Sequence, residues 1–191
     1  MTPPTRGFRL LRDAVLSLSL SEPFVGPLYH WRTSRPHEYR HSPANSAGDD
    51  NALFKAGPGH GAPPQNVRLG ADDHLLDHLD HGFTLICATA GPALPAALRE
   101  AVQAFRQRGL PLRVIAVGAR EPVAGADETL PDANGHLRAR HGLRSDGGAY
   151  LLRPDQHVCA RWMGLDADRL RAALSQAIGQ GITDPNPGAR A

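Results

Sequence analysis

FTLICATAGPALPAALREAVQAFRQRGLPLRVIAVG, residues 83–118, decides the fold. Its opening, Phe83-Thr-Leu-Ile-Cys-Ala88, is almost continuously apolar, too short for a helix and rich in strand formers. A run of that kind suits a strand covered on both faces. Gly91 and Pro92 interrupt it. Leu94, Leu98, Val102 and Phe105 then recur at helical spacing, with Arg99, Glu100, Gln103 and Arg106 on the opposite side. Gly109 and Pro111 stop the helix, and Leu112-Arg-Val-Ile-Ala-Val117 reads as a second buried strand. Strand, helix, strand in this order predicts two parallel strands joined by a crossover.

Working outward toward the C-terminus, Arg120–Ala133 reads as a polar loop, and Asp132 as the cap of a short helix over 133–141 that Gly142 ends. Ala149–Arg153 and His157–Trp162 flank the turn Pro154-Asp155-Gln156, which makes an antiparallel hairpin. Asp166 then caps a final helix whose stripe is Leu170, Ala173, Leu174, Ala177 and Ile178, with Gly179 as its stop. The sum is an α/β protein with a mixed central sheet flanked by helices, the order of a thioredoxin-like fold.

Toward the N-terminus, ADDHLLDHLDHG (residues 71–82) reads as a short helix capped by Asp72 or Asp73, with Leu75, Leu76 and Leu79 buried. His74, His78 and His81 then share one face, with Asp77 near. They are the candidate ligands for a transition metal, against the plainer reading of a solvated, weakly pH-sensitive face. No fourth ligand can be named, so no metal is expected. KAGPGHGAPPQ (55–65) follows no strand, opens no helix and lacks a GK[ST] ending, so it is read as a Gly/Pro loop and not a phosphate loop. Ser42–Asp50 reads as a polar linker. Within residues 1–22, RGFRLLRDAVLSLSL reads as an amphipathic helix, with Leu10, Leu11, Ala14, Val15 and Leu18 opposite Arg9, Arg12 and Asp13. Phe24, Tyr29, Trp31 and Tyr39 follow among prolines, and a tail seldom spends aromatics this way. That segment is expected to pack on something larger. The organisation so read is an irregular extension over 1–50, a thioredoxin-like domain over 51–180 and a flexible tail over 181–191.

Basic residues number 21 against 19 acidic, interspersed, so no stripe suits a phosphate backbone and nucleic acid is excluded as a partner. No apolar run approaches the roughly 18 residues of a membrane span, and Ala14–Leu20 is too short and Ser-interrupted for a secretory signal. Cys87 and Cys159, the two cysteines, each fall inside a predicted strand, as buried thiols of a cytoplasmic protein would. A thioredoxin-type enzyme needs a thiolate at the start of the helix after its first core strand. Here that position reads Ala90-Gly91-Pro92-Ala93, and Ser145–Gly148 stands where a redox thioredoxin has its cis-proline. Thiol redox chemistry is therefore expected to be absent. Arg153 and Asp155 read as a pair inside their turn, in preference to an anion contact by Arg153 and Arg161. Trp162 and Met163 read as core or interface.

GPGHGAPP (57–64), LLDHLDHGFTLI (75–86), Asp132, HGLRSDGGAYLLRPDQHVCARW (141–162) and the closing helix together resemble the C-terminal region of FAD-dependent aromatic hydroxylases. These are the class A flavoprotein monooxygenases similar to 3-(3-hydroxyphenyl)propionate and phenol hydroxylases. LRDAVLSLSLSEPFVGPLYHWRTSRPHEYRHSP (11–43) resembles the last helix of their flavin and substrate portion with its connector. The resemblance implies FAD and NAD(P)H for the parent family. It also implies a C-terminal domain that supports the fold and subunit contacts, with a flavin-domain polypeptide or a second copy as partner. The family's GxGxxG unit and later Gly-Asp motif have no counterpart in these residues, so the resemblance carries no catalytic or cofactor-binding residue onto this chain. The expectation is a chain inactive by itself. A stand-alone dimerisation or binding module and, with less support, a thiol redox protein are the alternatives.

Overall fold

Phe83–Ala88 (β1) is buried at all six positions, because both of its faces are covered. Phe83, Leu85 and Cys87 enter one apolar core, while Ile86 and Ala88 enter another on the opposite face. Leu112–Val117 (β2) lies parallel to it, in register from Phe83 opposite Leu112 to Ala88 opposite Val117. The helix between them, α2 (Ala96–Gln107), buries Leu98, Ala101, Val102 and Phe105. It ends as the sequence predicts. Gly109 takes φ +83°, its amide and that of Leu110 bond back to Arg106 and Phe105, and the last carbonyls are thereby satisfied.

The computed structural model describes residues 5–19, 22, 37–46, 49–89, 91–145 and 147–180. Ala149–Leu152 (β4) runs antiparallel to β1 and pairs in turn with Val158–Trp162 (β5), with a bulge at Leu151/Leu152. Glu128–Leu130 (β3) adds a third parallel strand beside β2, so the sheet order is β3-β2-β1-β4-β5. Together α2 and α4 (Ala167–Ala177) cover one face, and α3 (His136–His141) with the 3-10 turn Leu75–His78 covers the other. This mixed five-stranded sheet between helices is the thioredoxin-like arrangement expected. At the head of α4, Asp166 Oδ1 accepts from the Arg169 amide at 2.8 Å, and Gly179 follows its end at φ +77°.

Several sequence expectations need correction. The loop 120–133 contains β3, which the pattern could not reveal because only Leu130 of its three residues is buried. The helix expected over 133–141 starts at His136, after Gly135 at φ +68°. Asp132 still caps it, accepting from the amides of Leu137 (3.0 Å) and Arg138 (3.1 Å). The helix expected over 71–82 shrinks to Leu75–His78. Arg68 and His74 form an antiparallel β-bridge, and the Leu75 amide donates to Val67 O at 2.9 Å, so residues 69–73 form a tight turn and no helix starts before residue 75.

Ser42–Asp50 is no linker either. Its described residues and the Gly/Pro loop form a strap on β5, one of the sheet's two edge strands. Ser46 N donates to Cys159 O (2.7 Å), Asp50 N to Arg161 O (3.0 Å) and Gly61 N to Val158 O (2.8 Å), while Val158 N donates to Ala62 O (2.9 Å). An open strand edge invites pairing with other chains, and the strap occupies it.

Residues Met1–His37 form a separate compact unit from Glu38–Ala191. In the former, α1 (Arg6–Ser19) is amphipathic and buries none of its residues. Phe8, Leu10 and Leu11 are about 60% exposed, and Leu16 and Leu18 about half (59%, 64%, 60%, 48% and 46%). Phe24, Tyr29 and Trp31, and the tail 181–191, lie outside the described residues.

Candidate functional site

In a thioredoxin-like sheet, chemistry would sit where β1 gives way to α2. Here a cleft of about 240 Å3 opens there, lined by Cys87, Leu94, Leu98, Gly148, Met163 and Leu165 among others. Its thiol is unsuited to nucleophilic work. Cys87 is 5% exposed, and burial pushes its pKa up to about 12. Cys159 is fully buried in the same core, its pKa likewise raised by burial to about 12, and its Sγ lies 3.5 Å from Leu151 O. A thiolate is the reactive form, and neither side chain provides one near neutral pH. Both thiols should therefore react with Ellman's reagent at least about a hundredfold more slowly in the folded chain than in urea. Equal rates in the two states would show an accessible cysteine.

The same turn is poorly suited to a dinucleotide. A pyrophosphate cradle needs free backbone amides at a glycine-rich strand-to-helix turn. Pro92 and Pro95 have no amide hydrogen, Leu94 N already donates to Ala124 O (2.9 Å), and Pro95 is the helix's N-cap. A second cleft, about 620 Å3, presents Asp80 and Asp127 beside Arg106 and Arg113, whose charges are already matched. Among the described residues, neither place offers a glycine-rich turn of free amides for a pyrophosphate.

The densest polar arrangement surrounds Arg161, which is 6% exposed. Its Nε donates to Asn51 Oδ1 (2.8 Å) and Nη2 to Asn51 O (3.1 Å). Its Nη1 reaches Ala56 O (3.1 Å), Gly57 O (3.3 Å) and the Tyr150 hydroxyl (3.3 Å). The guanidinium also lies 4.5 Å from the centre of the Phe54 ring, a cation–π contact. Tyr150 donates in turn to His141 O at 2.6 Å. Asp49 accepts from the Arg161 amide (2.8 Å) and from His60 Nε2 (2.5 Å). Further along the strap, Asp50 pairs with Arg169 at 2.6 Å, and that bond holds its carboxyl below the usual range. Arg153 bonds Ser42 Oγ (3.1 Å) as well as Asp155 (2.7 Å). These arginines fasten the strap to the sheet, so the structural reading of Arg153, Asp155 and Arg161 holds. Asp49, Asn51 and His60 gave no signal in the sequence, because their partners lie roughly 100 residues away or in a neighbouring turn with no periodic pattern.

The three candidate metal ligands are not brought together. His78 is engaged at both ring nitrogens, by Asp73 Oδ1 (2.7 Å) and Glu128 Oε1 (2.8 Å). His74 lies 3.7 Å from Asp77, and His81 follows the shortened turn, exposed. Among the described residues no group of three His, Cys, Asp or Glu is placed to hold a metal ion. No described helix is long and apolar enough to cross a membrane.

No protein-family model and no curated protein matches the chain. Solved structures do. Aklavinone-11 hydroxylase, determined with FAD and aklavinone, aligns at 27% identity and TM-score 0.56 over 78% of this chain and 27% of its own. The chain resembles a segment of the FAD-dependent hydroxylases. The flavin-dependent monooxygenase PieE, determined with FAD and substrate, shows the same fold at 21% identity and TM-score 0.55, over 93% of this chain and 31% of its own. So does the rebeccamycin biosynthetic enzyme RebC with reduced flavin, at 21% and 0.52, over 94% and 29%. The chain thus spans between a quarter and a third of the hydroxylases it matches.

Proposed function

We propose that this chain is the C-terminal, thioredoxin-like part of an FAD-dependent aromatic-compound monooxygenase, with a structural and interaction role and no complete active site of its own. The match to just over a quarter of aklavinone-11 hydroxylase carries the reading. Two local features support it. The thiols of Cys87 in β1 and Cys159 in β5 are held neutral by burial, and at the β1–α2 turn Thr89 N and Leu94 N already donate to Val117 O and Ala124 O. In such a partnership FAD and the nicotinamide reductant belong to a flavin-domain polypeptide. The cofactor supplies the oxygen chemistry, and the protein around it positions and shields. The compartment is the cytoplasm.

The exposed apolar residues of α1 support a missing companion, since a soluble monomer seldom leaves such a stripe uncovered. They equally favour a second reading, a homodimerisation module, which sedimentation separates from a lone monomer. The primary test is a titration of the purified chain with FAD, followed by flavin fluorescence. No quenching and no flavin in the isolated protein is the expected result. Stoichiometric binding would sink the reading, because it would put a cofactor site in this chain.

A further inference from the structure

His78 joins two carboxylates that belong to different parts of the fold. Nε2 lies 2.7 Å from Asp73 Oδ1, in the turn before the 3-10 helix, and Nδ1 lies 2.8 Å from Glu128 Oε1, on β3. A neutral imidazole carries one N–H and a carboxylate carries none. Two contacts this short to two carboxylates therefore call for an imidazolium, with each nitrogen donating. Glu128 is held on its other oxygen by Arg113 of β2 at 2.7 Å. Arg113 in turn lies 3.9 Å from Asp80, and Asp77 is turned away to His74. His78 is mostly buried, its side chain 18% exposed.

We propose that His78 is a proton-operated clip: as imidazolium it ties the turn Leu69–His74 to the β3 edge, and on losing its proton it releases Asp73 and loosens that turn. Asp73 is the partner that leaves. Its side chain is 47% exposed against 26% for Glu128, and only Glu128 keeps an arginine. The turn depends on residue 73, whose carbonyl accepts from the amides of Leu69 (2.8 Å) and Gly70 (3.2 Å). Arg68 wraps the same turn through Gly70 O and Ala71 O. Asn66, Val67 and Arg68 are one wall of a cleft of about 440 Å3, opposite His136 and Arg140 of α3. Loosening the turn changes the shape of that cleft.

The direction follows from the surroundings. Burial by itself lowers the His78 pKa, but the bonds to Asp73 and Glu128 outweigh it and the net shift is upward. A group whose pKa is higher in the fold stabilises it fully below the unfolded value of about 6.5, and that contribution is lost as pH rises through the folded value. The clip is closed on the acid side and opens on the alkaline side.

The test is a long-range proton–nitrogen NMR titration of the full chain from about pH 5.5 to about pH 9, with amide exchange measured in parallel. Both ring nitrogens of His78 should be protonated at about pH 6.5, and its midpoint should lie above the ordinary value. Exchange at Leu69 and Gly70, corrected for base catalysis, should rise in step with that midpoint. Asp73→Asn should lower the midpoint and remove the step. A singly protonated His78 at about pH 6.5, or exchange at Leu69 and Gly70 that ignores its titration, overturns the proposal.

Discussion

Replacing Arg161 by methionine will lower the unfolding free energy by about 3–5 kcal/mol and free the strap from β5. The apolar stem survives the substitution, so the loss reports the guanidinium. Its removal leaves Asn51 O and Oδ1, Ala56 O and Gly57 O without their donor. Each buried acceptor so stranded costs about 1–3 kcal/mol, and hydration of a loosened strap limits the sum. Arg161→Lys should recover little, because an ammonium is a single point and cannot span acceptors on residues 51, 56 and 57. Urea unfolding followed by circular dichroism gives the stability, and limited proteolysis reads the strap, with new cleavage expected between residues 38 and 64. An unchanged midpoint together with an intact strap would show that the backbone bonds to Cys159, Arg161 and Val158 suffice alone.

A matched pair of glycines gives the second large effect. Gly57 and Gly109 adopt nearly the same left-handed backbone, φ +84° and +83°. The conformational penalty for a side chain is therefore equal, about 1–2 kcal/mol. Their surroundings are not. A Cβ at Gly109 meets nothing within 4 Å, whereas at Gly57 it would lie 2.5 Å from His141 O and collide with the Tyr150 hydroxyl. That hydroxyl is the link between Arg161 and His141 O. Overpacking adds about 1–3 kcal/mol to the backbone term, so Gly57→Ala should cost about 2–5 kcal/mol and Gly109→Ala about 1–2. The measured quantity is the difference between the two urea midpoints. Equal losses would mean that the strap shifts freely at residue 57.

Both experiments probe a feature that sequence patterns do not reveal. GPGHGAPP draws attention for its glycines, which suggest a phosphate loop only to be rejected for lack of a strand and helix around it. Its physical use is close packing. Gly57 lies against His141 and Tyr150, and Gly61 against the backbone of Tyr39. Contacts between residues a hundred positions apart leave no local periodicity, and the sheet edge they cover exists only once β4 and β5 have paired.

The histidine face failed for a related reason. Leu75, Leu76 and Leu79 have helical spacing, and spacing alone put His74, His78 and His81 side by side. The pairing of Arg68 with His74 folds the preceding residues into a bridged turn, and only four residues take up the 3-10 helix. Glu128 then reaches His78 from β3, a strand too short and too exposed to announce itself.

What the sequence determined by itself was the central frame: β1, α2, β2, the β4–β5 hairpin and α4. Each of these buries a continuous or periodic set of apolar residues, and local patterning is enough to identify such a set. The same patterning placed Cys87 and Cys159 inside strands, where burial silences them. Only the tertiary structure decided that the described residues of 38–64 bind β5, that His78 joins Asp73 to Glu128, and that the helix Asp132 caps begins as late as His136. Those contacts are polar and follow no apolar periodicity, and the strap's bonds to β5 and the His78–Glu128 bond are also long in sequence separation. Their partners come within hydrogen-bonding distance only after the apolar frame has assembled.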